Sequence, residues 1–240
     1  MTERPAAQLL PPNADGRRFS ADRTVRLGDV DVSGELRLDA VARYLQDVAS
    51  DDALDAGLSN AMGWVVRRTM IRVDRPCALN ERVTLTTFCT GVGRSWAERR
   101  TTITGAGGVA VEAVSLWVQI DVESGRPARL GPAFFDLYGA AAGGRAVSSK
   151  LGLPGPSSGA ERRRWRFRET DLDPFDHVNN AAQWAVPESL LDGRSRLGTT
   201  ELEYLAPIGT GELDLLVEGD AAWLVGDGRT LSAVARTRSG

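Results

Sequence analysis

Hydrophobic residues recur at steps of three and four along residues 38–56, and this spacing predicts one long amphipathic helix. The apolar positions are Leu38, Val41, Ala42, Leu45, Val48, Ala49, Ala53 and Ala56. The pattern begins near Asp39 and stops at Gly57, which gives a helix of about five turns. The same spacing returns more weakly after Val178, but Pro187 removes a backbone donor there. The second helix is therefore expected to be kinked or short.

Short runs rich in β-branched and aromatic residues follow each helical segment, and glycine-rich turns separate them. Such runs predict antiparallel strands. In the first half the predicted strands span residues 64–73, 82–90, 96–104 and 109–121. In the second half they span residues 200–205, 213–218, 221–225 and 231–237. Both faces of residues 109–120 are largely apolar, which is typical of a strand covered on both sides.

The order of these elements occurs twice, and a shared motif precedes each helix. Aligning Asp31 with Asp173 gives an offset of 142 residues (173 − 31) and also aligns Asp29 with Asp171. Each unit is a strand, a helix and then an antiparallel run of strands. This pattern predicts an α+β protein with a tandem, or double, hot-dog fold. In each half an antiparallel sheet wraps around one long central helix, and the halves pair as two protomers of a dimer would.

Composition divides the chain into four segments. Residues 1–18 are polar, lack the apolar centre of a signal peptide and are predicted to form a flexible N-terminal tail. Residues 19–138 form the predicted N-terminal hot-dog. Residues 139–160 are rich in Gly, Ala, Ser and Pro and are predicted to be an exposed linker. Residues 161–240 form the predicted C-terminal hot-dog.

Charge and composition exclude several classes of function. No run of 18 apolar residues exists, so no membrane span is expected, and the net charge of −3 argues against a dedicated nucleic-acid binder. Cys77 and Cys89 lie in strand-like sequence without metal-ligand spacing. Two free, buried thiols and a cytoplasmic location are expected, although the two cysteines can pair in principle. No zinc pattern, phosphate loop or nucleophile motif is present, so no metal or cofactor is expected.

The second copy of the motif carries a family resemblance. The segment Asp171-Leu-Asp173-Pro-Phe-Asp-His177-Val-Asn-Asn180 resembles the D-x-D-x-N-x-H-V-N-N segment of plant-type and bacterial acyl-ACP thioesterases. The likeness continues in order through residues 44–49, 64–68, 93–100, 115–118 and 202–204, and covers about residues 19–237. It implies the double hot-dog fold, an acyl pocket in the N-terminal hot-dog, and hydrolysis of acyl-ACP or acyl-CoA in fatty acid biosynthesis, without a cofactor.

Carried over residue by residue, the resemblance makes Asp173 the catalytic aspartate and His177, the only histidine, the catalytic histidine. Two positions depart from the family pattern: Phe175 replaces its catalytic asparagine and Pro207 replaces its catalytic glutamate. Glu203 lies four strand residues from Pro207, about 13 Å, and is not expected to substitute. An acyl- or partner-binding protein without hydrolysis is therefore the alternative, and a 2-enoyl thioester hydratase or dehydratase is a third hypothesis.

The chemistry of the Asp173 and His177 side chains suits hydrolysis of a thioester. Asp173 can activate water as a general base or attack the carbonyl carbon directly. His177 can orient water or protonate the leaving thiolate. Backbone N–H groups around Asn179 and Asn180 are predicted to stabilise the oxyanion. In the competing interpretation Asp173 only stabilises the start of the helix and His177 is a turn residue.

The first copy differs from the second where the chemistry is predicted. Glu35 follows Asp31 at the spacing at which His177 follows Asp173. We therefore expect the first copy to be structural and to form a wall of the acyl pocket.

A basic run enters the second half. Its core is Arg162, Arg163 and Arg164. An acidic carrier protein or the phosphates of coenzyme A can dock on such a run, although a solvated strand face is the simpler interpretation. A monomer with an internal pseudo-dimer and a homo-oligomer are both compatible with the sequence.

Overall fold

A computed structural model describes residues 9–58, 63–191 and 195–237 of the chain. The elements of the first half are β1 (Phe19–Thr24), α1 (Leu38–Asp55), β2 (Gly63–Val73), β3 (Arg82–Val92), β4 (Trp96–Gly105), β5 (Gly108–Ile120) and α2 (Pro132–Ala142). Those of the second half are β6 (Glu161–Arg166), α3 (Ala185–Ser189), β7 (Gly198–Tyr204), β8 (Glu212–Glu218), β9 (Ala221–Gly226) and β10 (Arg229–Thr237). Three single-turn 3-10 helices span Leu27–Asp29, Glu169–Asp171 and Ala182–Trp184.

The strands form one continuous ten-stranded sheet with the order β1-β3-β4-β5-β2-β7-β10-β9-β8-β6. The two halves meet where β2 pairs antiparallel with β7, from Arg68 opposite Glu203 to Val73 opposite Gly198. Outward from β2 the order is β5, β4, β3, β1, and outward from β7 it is the corresponding β10, β9, β8, β6. This pseudo-twofold arrangement confirms the predicted double hot-dog.

Helix α1 packs its apolar face against the first half of the sheet, as the spacing predicts. Leu38, Val41, Leu45 and Val48 are buried in the main core, which also contains Ile71 of β2. The helix ends just before Gly57, whose φ of 68° lies in the left-handed region that favours glycine.

The second helical segment is much shorter than α1. It consists of the 3-10 turn Ala182–Trp184 followed by the five residues of α3. The segment changes from 3-10 to α geometry two residues before Pro187 and ends at Ser189, so the predicted kinked or short second helix is confirmed.

Helix α2 is not predicted by the sequence pattern. Its end, Gly139–Ala142, is composed of small residues that resemble the linker that follows. In the structure α2 packs on β3 through a second core containing Phe134, Tyr138, Ala141 and Cys89. The prediction of an exposed linker from residue 139 is therefore wrong for Ala141 and Ala142, which are buried.

Residues 9–18 of the predicted flexible tail also contact the fold. Arg17 donates from Nε to Oδ1 of the buried Asp52 over 2.8 Å, and the Asn13 side chain donates to the Ala140 carbonyl over 3.1 Å. These contacts tie Asn13 and Arg17 to the fold, and Arg17 neutralises a buried carboxylate, whereas the flexibility predicted for residues 1–18 stays a prediction. Residues 1–8 of the tail and 238–240 of the C-terminal hot-dog lie outside the described residues.

Both cysteines are free and buried, as predicted. Burial raises the pKa of the Cys77 thiol to about 11 and also raises the pKa of Cys89. The two thiols are therefore protonated near neutral pH and are poor nucleophiles. None of the helices in the described residues is long and apolar enough to cross a membrane.

Candidate active site

The motif before α1 folds into a tight turn closed by Asp31. Its Oδ1 accepts hydrogen bonds from the backbone N–H groups of Ser33 at 2.8 Å and Glu35 at 3.0 Å. The Asp31 N–H donates to the Glu35 carbonyl over 3.0 Å. Gly34 has a φ of 78°, which lets the chain reverse direction.

The second copy repeats this turn around Asp173. Oδ1 of Asp173 accepts hydrogen bonds from the N–H groups of Phe175 at 2.9 Å and His177 at 3.4 Å. The Asp173 N–H donates to the His177 carbonyl over 2.8 Å, and Asp176 takes the positive φ of 59°. The Asp–His pair predicted from sequence thus lies in one turn, and Asp173 has the structural role of its first-copy counterpart.

The environment of the two aspartates differs. Oδ2 of Asp173 accepts no hydrogen bond from the described residues. The exposed His177 imidazole also forms no hydrogen bond with them. Asp173 is half-buried and the Phe175 ring beside it is 72% exposed. The second copy therefore presents a carboxylate oxygen and an imidazole that are available to a substrate.

In the first copy the corresponding oxygen is occupied by Arg196. Its Nη2 lies 2.8 Å from Oδ2 of Asp31, its Nη1 lies 3.2 Å from Glu35, and its Nε donates to Glu188 over 2.9 Å. The Arg196 side chain is only 9% exposed. Burial alone raises the pKa of Asp31, but the Glu35 N–H and the Arg196 guanidinium hold that pKa below its usual range. This closure supports a structural role for the first copy.

We expect Arg196→Ala to lower the free energy of unfolding by about 2 kcal/mol, because three partly buried carboxylates then lose their common cation. Urea unfolding measures the change. Arg164→Ala is the matched control, since Arg164 is exposed and its ion pairs are on the surface. Its expected change is within about 0.5 kcal/mol. Equal losses in the two variants would contradict the structural role of Arg196.

The backbone around Asn179 and Asn180 supplies only part of the predicted oxyanion site. The Asn179 N–H donates to the Asp171 carbonyl over 2.8 Å, and the Asn179 side chain accepts from the Ala181 N–H over 2.8 Å. The Asn179 side chain thus satisfies the Ala181 N–H just before the helical segment, and the Asn179 backbone N–H is not free to stabilise an oxyanion. Within the described ranges the Asn180 N–H donates to no protein group.

Tyr204 holds the backbone at this point, a role that the sequence pattern does not reveal. The fully buried Trp184 donates from Nε1 to the Tyr204 hydroxyl over 2.8 Å, and that hydroxyl donates to the Asn180 carbonyl over 3.3 Å. Burial strongly raises the pKa of Tyr204, so the hydroxyl stays protonated and remains a donor.

A small cavity of about 20 Å³ lies beside Asn180, between α1 and the sheet. Gln46 of α1, Thr69 of β2, Trp117 of β5 and Tyr204 of β7 contribute to its lining. A far larger open cavity, of about 500 Å³, is lined by first-half residues such as Arg26, Tyr44 and Asp47, and by none of the predicted site residues. Of the predicted site residues, Asn180 lines the smaller cavity, whereas Asp173 and His177 do not, so we place only the oxyanion end of the candidate site there.

No carboxylate from elsewhere in the described residues replaces the glutamate that the resemblance places at Pro207. The Val178 N–H donates to the Ile208 carbonyl over 2.7 Å, so the segment of Pro207 lies directly beside the motif and offers no carboxylate. The buried carboxylate of Glu203 instead accepts hydrogen bonds from the N–H groups of Gly152 at 2.7 Å and Leu153 at 3.1 Å. Glu203 thus holds residues 152 and 153 of the linker in place and is not beside the motif.

The basic run lies on β6, at the outer edge of the sheet. Alternation along a strand places Arg162 and Arg164 on one face and Arg163 on the other. All three side chains are exposed, and nearby carboxylates such as Asp214 and Glu161 pair with them. Carrier docking on Arg162, Arg163 and Arg164 stays a prediction.

Within the described ranges, no group of three or more His, Cys, Asp or Glu side chains is arranged to hold a metal ion.

Comparison with known proteins gives the same fold and a family match. Residues 16–138 match the model of the acyl-ACP thioesterase N-terminal domain. An uncharacterized protein of Mycobacterium tuberculosis is 31% identical over 208 residues, which are 85% of this chain and 83% of that protein.

Solved structures of low sequence identity show the same architecture. An acyl-ACP thioesterase from Bacteroides thetaiotaomicron has a TM-score of 0.79 at 19% identity, covering 91% of this chain and 96% of its own. A putative oleoyl thioesterase from Lactobacillus plantarum has a TM-score of 0.77 at 19% identity, covering 95% and 99%. The 12:0-ACP thioesterase from Umbellularia californica has a TM-score of 0.74 at 22% identity, covering 92% and 96%.

Proposed function

Because this chain belongs to the acyl-ACP thioesterase family, we propose that it hydrolyses fatty acyl thioesters of acyl carrier protein or coenzyme A. The products are a free fatty acid and the carrier thiol. A cytoplasmic role in fatty acid biosynthesis, as a monomer or a homo-oligomer, is part of the same proposal.

The observation that carries the proposal is the contrast between two turns of the same geometry. In the first turn, Nη2 of Arg196 forms an ion pair with Oδ2 of Asp31 at 2.8 Å. In the second, Oδ2 of Asp173 accepts no hydrogen bond from the part of the chain that the structure describes, and His177 is exposed four residues away. A structural turn needs only Oδ1, so the availability of Oδ2 in one copy supports a chemical role there.

The proposed reaction uses one water molecule. Asp173 takes a proton from that water through Oδ2, and the water oxygen forms a bond to the thioester carbonyl carbon. The carbonyl oxygen becomes an oxyanion, which the Asn180 N–H stabilises. When the oxyanion collapses, the C–S bond breaks and His177 delivers a proton to the leaving thiolate. The proton that Asp173 took from the water then passes to His177, which restores both side chains for the next turnover. Direct attack by Asp173, through an anhydride that water then cleaves, gives the same products.

The acyl chain is proposed to enter between α1 and the sheet at the small cavity. A cavity of about 20 Å³ holds roughly one water molecule, so side chains such as Gln46 and Trp117 must move to admit a chain. The exposed Phe175 ring, two residues from Asp173 in the same turn, is proposed to offer an apolar surface to the thioester arm of the carrier. Arg162, Arg163 and Arg164 are proposed to attract the acidic carrier or the phosphates of coenzyme A.

Two observations favour a second candidate function, binding of acyl chains or a partner without hydrolysis. Phe175 and Pro207 stand at the positions where the resemblance places an asparagine and a glutamate. The structure describes no carboxylate that takes the place of that glutamate beside Val178.

The test is to incubate the purified protein with acyl-ACPs and acyl-CoAs of graded chain length and to measure thiol release. We expect release from at least one chain-length class, and we expect His177→Ala to reduce it by about 100-fold because the leaving thiolate loses its proton donor. Binding of acyl-ACP without release, by wild type and variant alike, would establish the binding function instead. Hydration of a trans-2-enoyl thioester without release would identify a hydratase.

A further inference from the structure

A hydrogen bond joins the helical segments of the two halves. A carboxylate oxygen of Glu188, in α3, accepts a hydrogen bond of 2.9 Å from the Leu38 N–H at the start of α1. Glu188 is held in place by Arg196. One half thus supplies the side chain that satisfies the first free backbone donor of the helix in the other half.

The offset between the copies predicts the corresponding contact in the second copy. Adding 142 to Leu38 gives Asn180, and subtracting 142 from Glu188 gives Gln46. The hydrogen bonds show that the offset holds into the helical segments. The Val41 N–H donates to the Arg37 carbonyl over 2.9 Å, and the corresponding Gln183 N–H donates to the Asn179 carbonyl over 3.3 Å.

Gln46 and Asn180 line the same small cavity. Unlike Leu38, Asn180 donates its N–H to no group in the described residues, and the half-buried Gln46 side chain forms no hydrogen bond with them. The cavity of about 20 Å³ has room for about one group the size of a water molecule, such as a carbonyl oxygen. A neutral carboxamide thus stands where the first copy has a carboxylate.

This difference in charge decides what the position can bind. A carboxylate next to the N–H accepts its hydrogen bond and repels a developing negative charge. A carboxamide leaves the N–H available and adds a donor of its own, since its nitrogen carries two hydrogens. Two donors that line one small cavity form an arrangement suited to an oxyanion.

We propose that Gln46 of the first half is the second oxyanion donor of the active site, acting with the Asn180 N–H on the thioester carbonyl oxygen. The inference rests on the proposed hydrolysis and adds a specific residue to it. It also assigns a function to the interface between the halves, because α1 donates a catalytic residue to the motif of the second copy.

Steady-state kinetics with the acyl thioester that the wild type hydrolyses best tests this proposal. Gln46→Ala is expected to lower kcat by about 100-fold with little change in KM, because the lost hydrogen bond is strongest in the transition state. Gln46→Glu is expected to lower kcat at least as far while leaving the melting temperature unchanged or higher, because the carboxylate then caps the Asn180 N–H. Glu188→Gln, the mirror substitution, serves as the matched control and is expected to keep kcat.

A spectroscopic measurement separates carbonyl polarisation from a structural effect. The inactive Asp173→Asn variant is mixed with a thioester that carries ¹³C at the carbonyl, and the carbonyl resonance is followed by NMR. Hydrogen bonds to the oxygen are expected to move the bound resonance downfield, and Gln46→Ala in the same background is expected to reduce that shift.

The outcomes distinguish this inference from the function on which it rests. Turnover by wild type that is unchanged in Gln46→Ala would overturn the role of Gln46 and leave the proposed hydrolysis intact. Absence of turnover by wild type, with any acyl thioester, would overturn both. Loss of kcat in Gln46→Ala together with a full carbonyl shift would show that Gln46 acts only on the fold, which also overturns the proposal.

Discussion

Replacing Asp173 with asparagine is expected to lower kcat/KM for acyl thioesters by about 1000-fold, because the carboxamide cannot accept a proton from water. The turn itself is expected to persist. An asparagine keeps the side-chain oxygen that accepts the N–H groups of Phe175 and His177. The rate loss and the folded state are measured separately, by thiol release and by thermal unfolding.

The Asp173→Asn result has a defined meaning only if the variant is folded. We expect its melting temperature to lie within a few degrees of wild type. A folded variant that retains full activity would show that Asp173 only closes the turn, as Asp31 does in the first copy.

Asp52→Ala is expected to lower the free energy of unfolding by about 4 kcal/mol, because it leaves two largely buried arginine side chains without their negatively charged partner. Asp52 is 1% exposed and accepts hydrogen bonds from Arg17 at 2.8 Å, Arg99 at 2.7 Å and the Tyr138 hydroxyl at 2.9 Å. These partners belong to the N-terminal segment, β4 and α2. Removal of the carboxylate is therefore expected to loosen α2 first, which hydrogen exchange of residues 132–142 measures.

The control for Asp52→Ala is Asp51→Ala, one position earlier in α1. Asp51 pairs with Arg23 over 2.8 Å, but both side chains are substantially exposed. The expected change is within about 0.5 kcal/mol. A loss from Asp52→Ala no larger than that of Asp51→Ala would mean that the buried cluster contributes nothing to stability.

Much of the fold follows from local patterns in the sequence. The apolar spacing of α1 predicts the helix within one residue of its observed start, Leu38. The eight strands that follow the two helical segments also lie where alternating and apolar runs predict them, because burial of one sheet face imposes that pattern. The double hot-dog follows from the repeat, since two copies of one unit bury their edges against each other.

The elements that the sequence does not predict depend on tertiary contacts. Helix α2 has a glycine and three alanines at its end, and it becomes a helix because Phe134 and Tyr138 find a core on β3. Residues 9–18 have no hydrophobic pattern at all. Arg17 holds them in place through Asp52, which is 35 residues away in sequence.

The site shows the same division. The motif predicts that Asp173 and His177 lie together, because both belong to one turn whose geometry is local. The closure of the first copy by Arg196 is not predicted, since Arg196 is 165 residues from Asp31. The loss of Asn179 as a donor is also invisible in sequence, because its N–H is consumed by the turn around Asp171.

The central claim is that the second copy of the motif is hydrolytic and the first is structural. The most direct test compares thiol release from acyl-ACP by wild type, Asp31→Asn and Asp173→Asn under identical conditions. Both substitutions remove one carboxylate charge and keep one turn oxygen, so they form a matched pair. The account predicts that Asp31→Asn retains most of the wild-type activity at a lower melting temperature, and that Asp173→Asn is inactive. Equal activity in the two variants, or greater loss in Asp31→Asn, would contradict it.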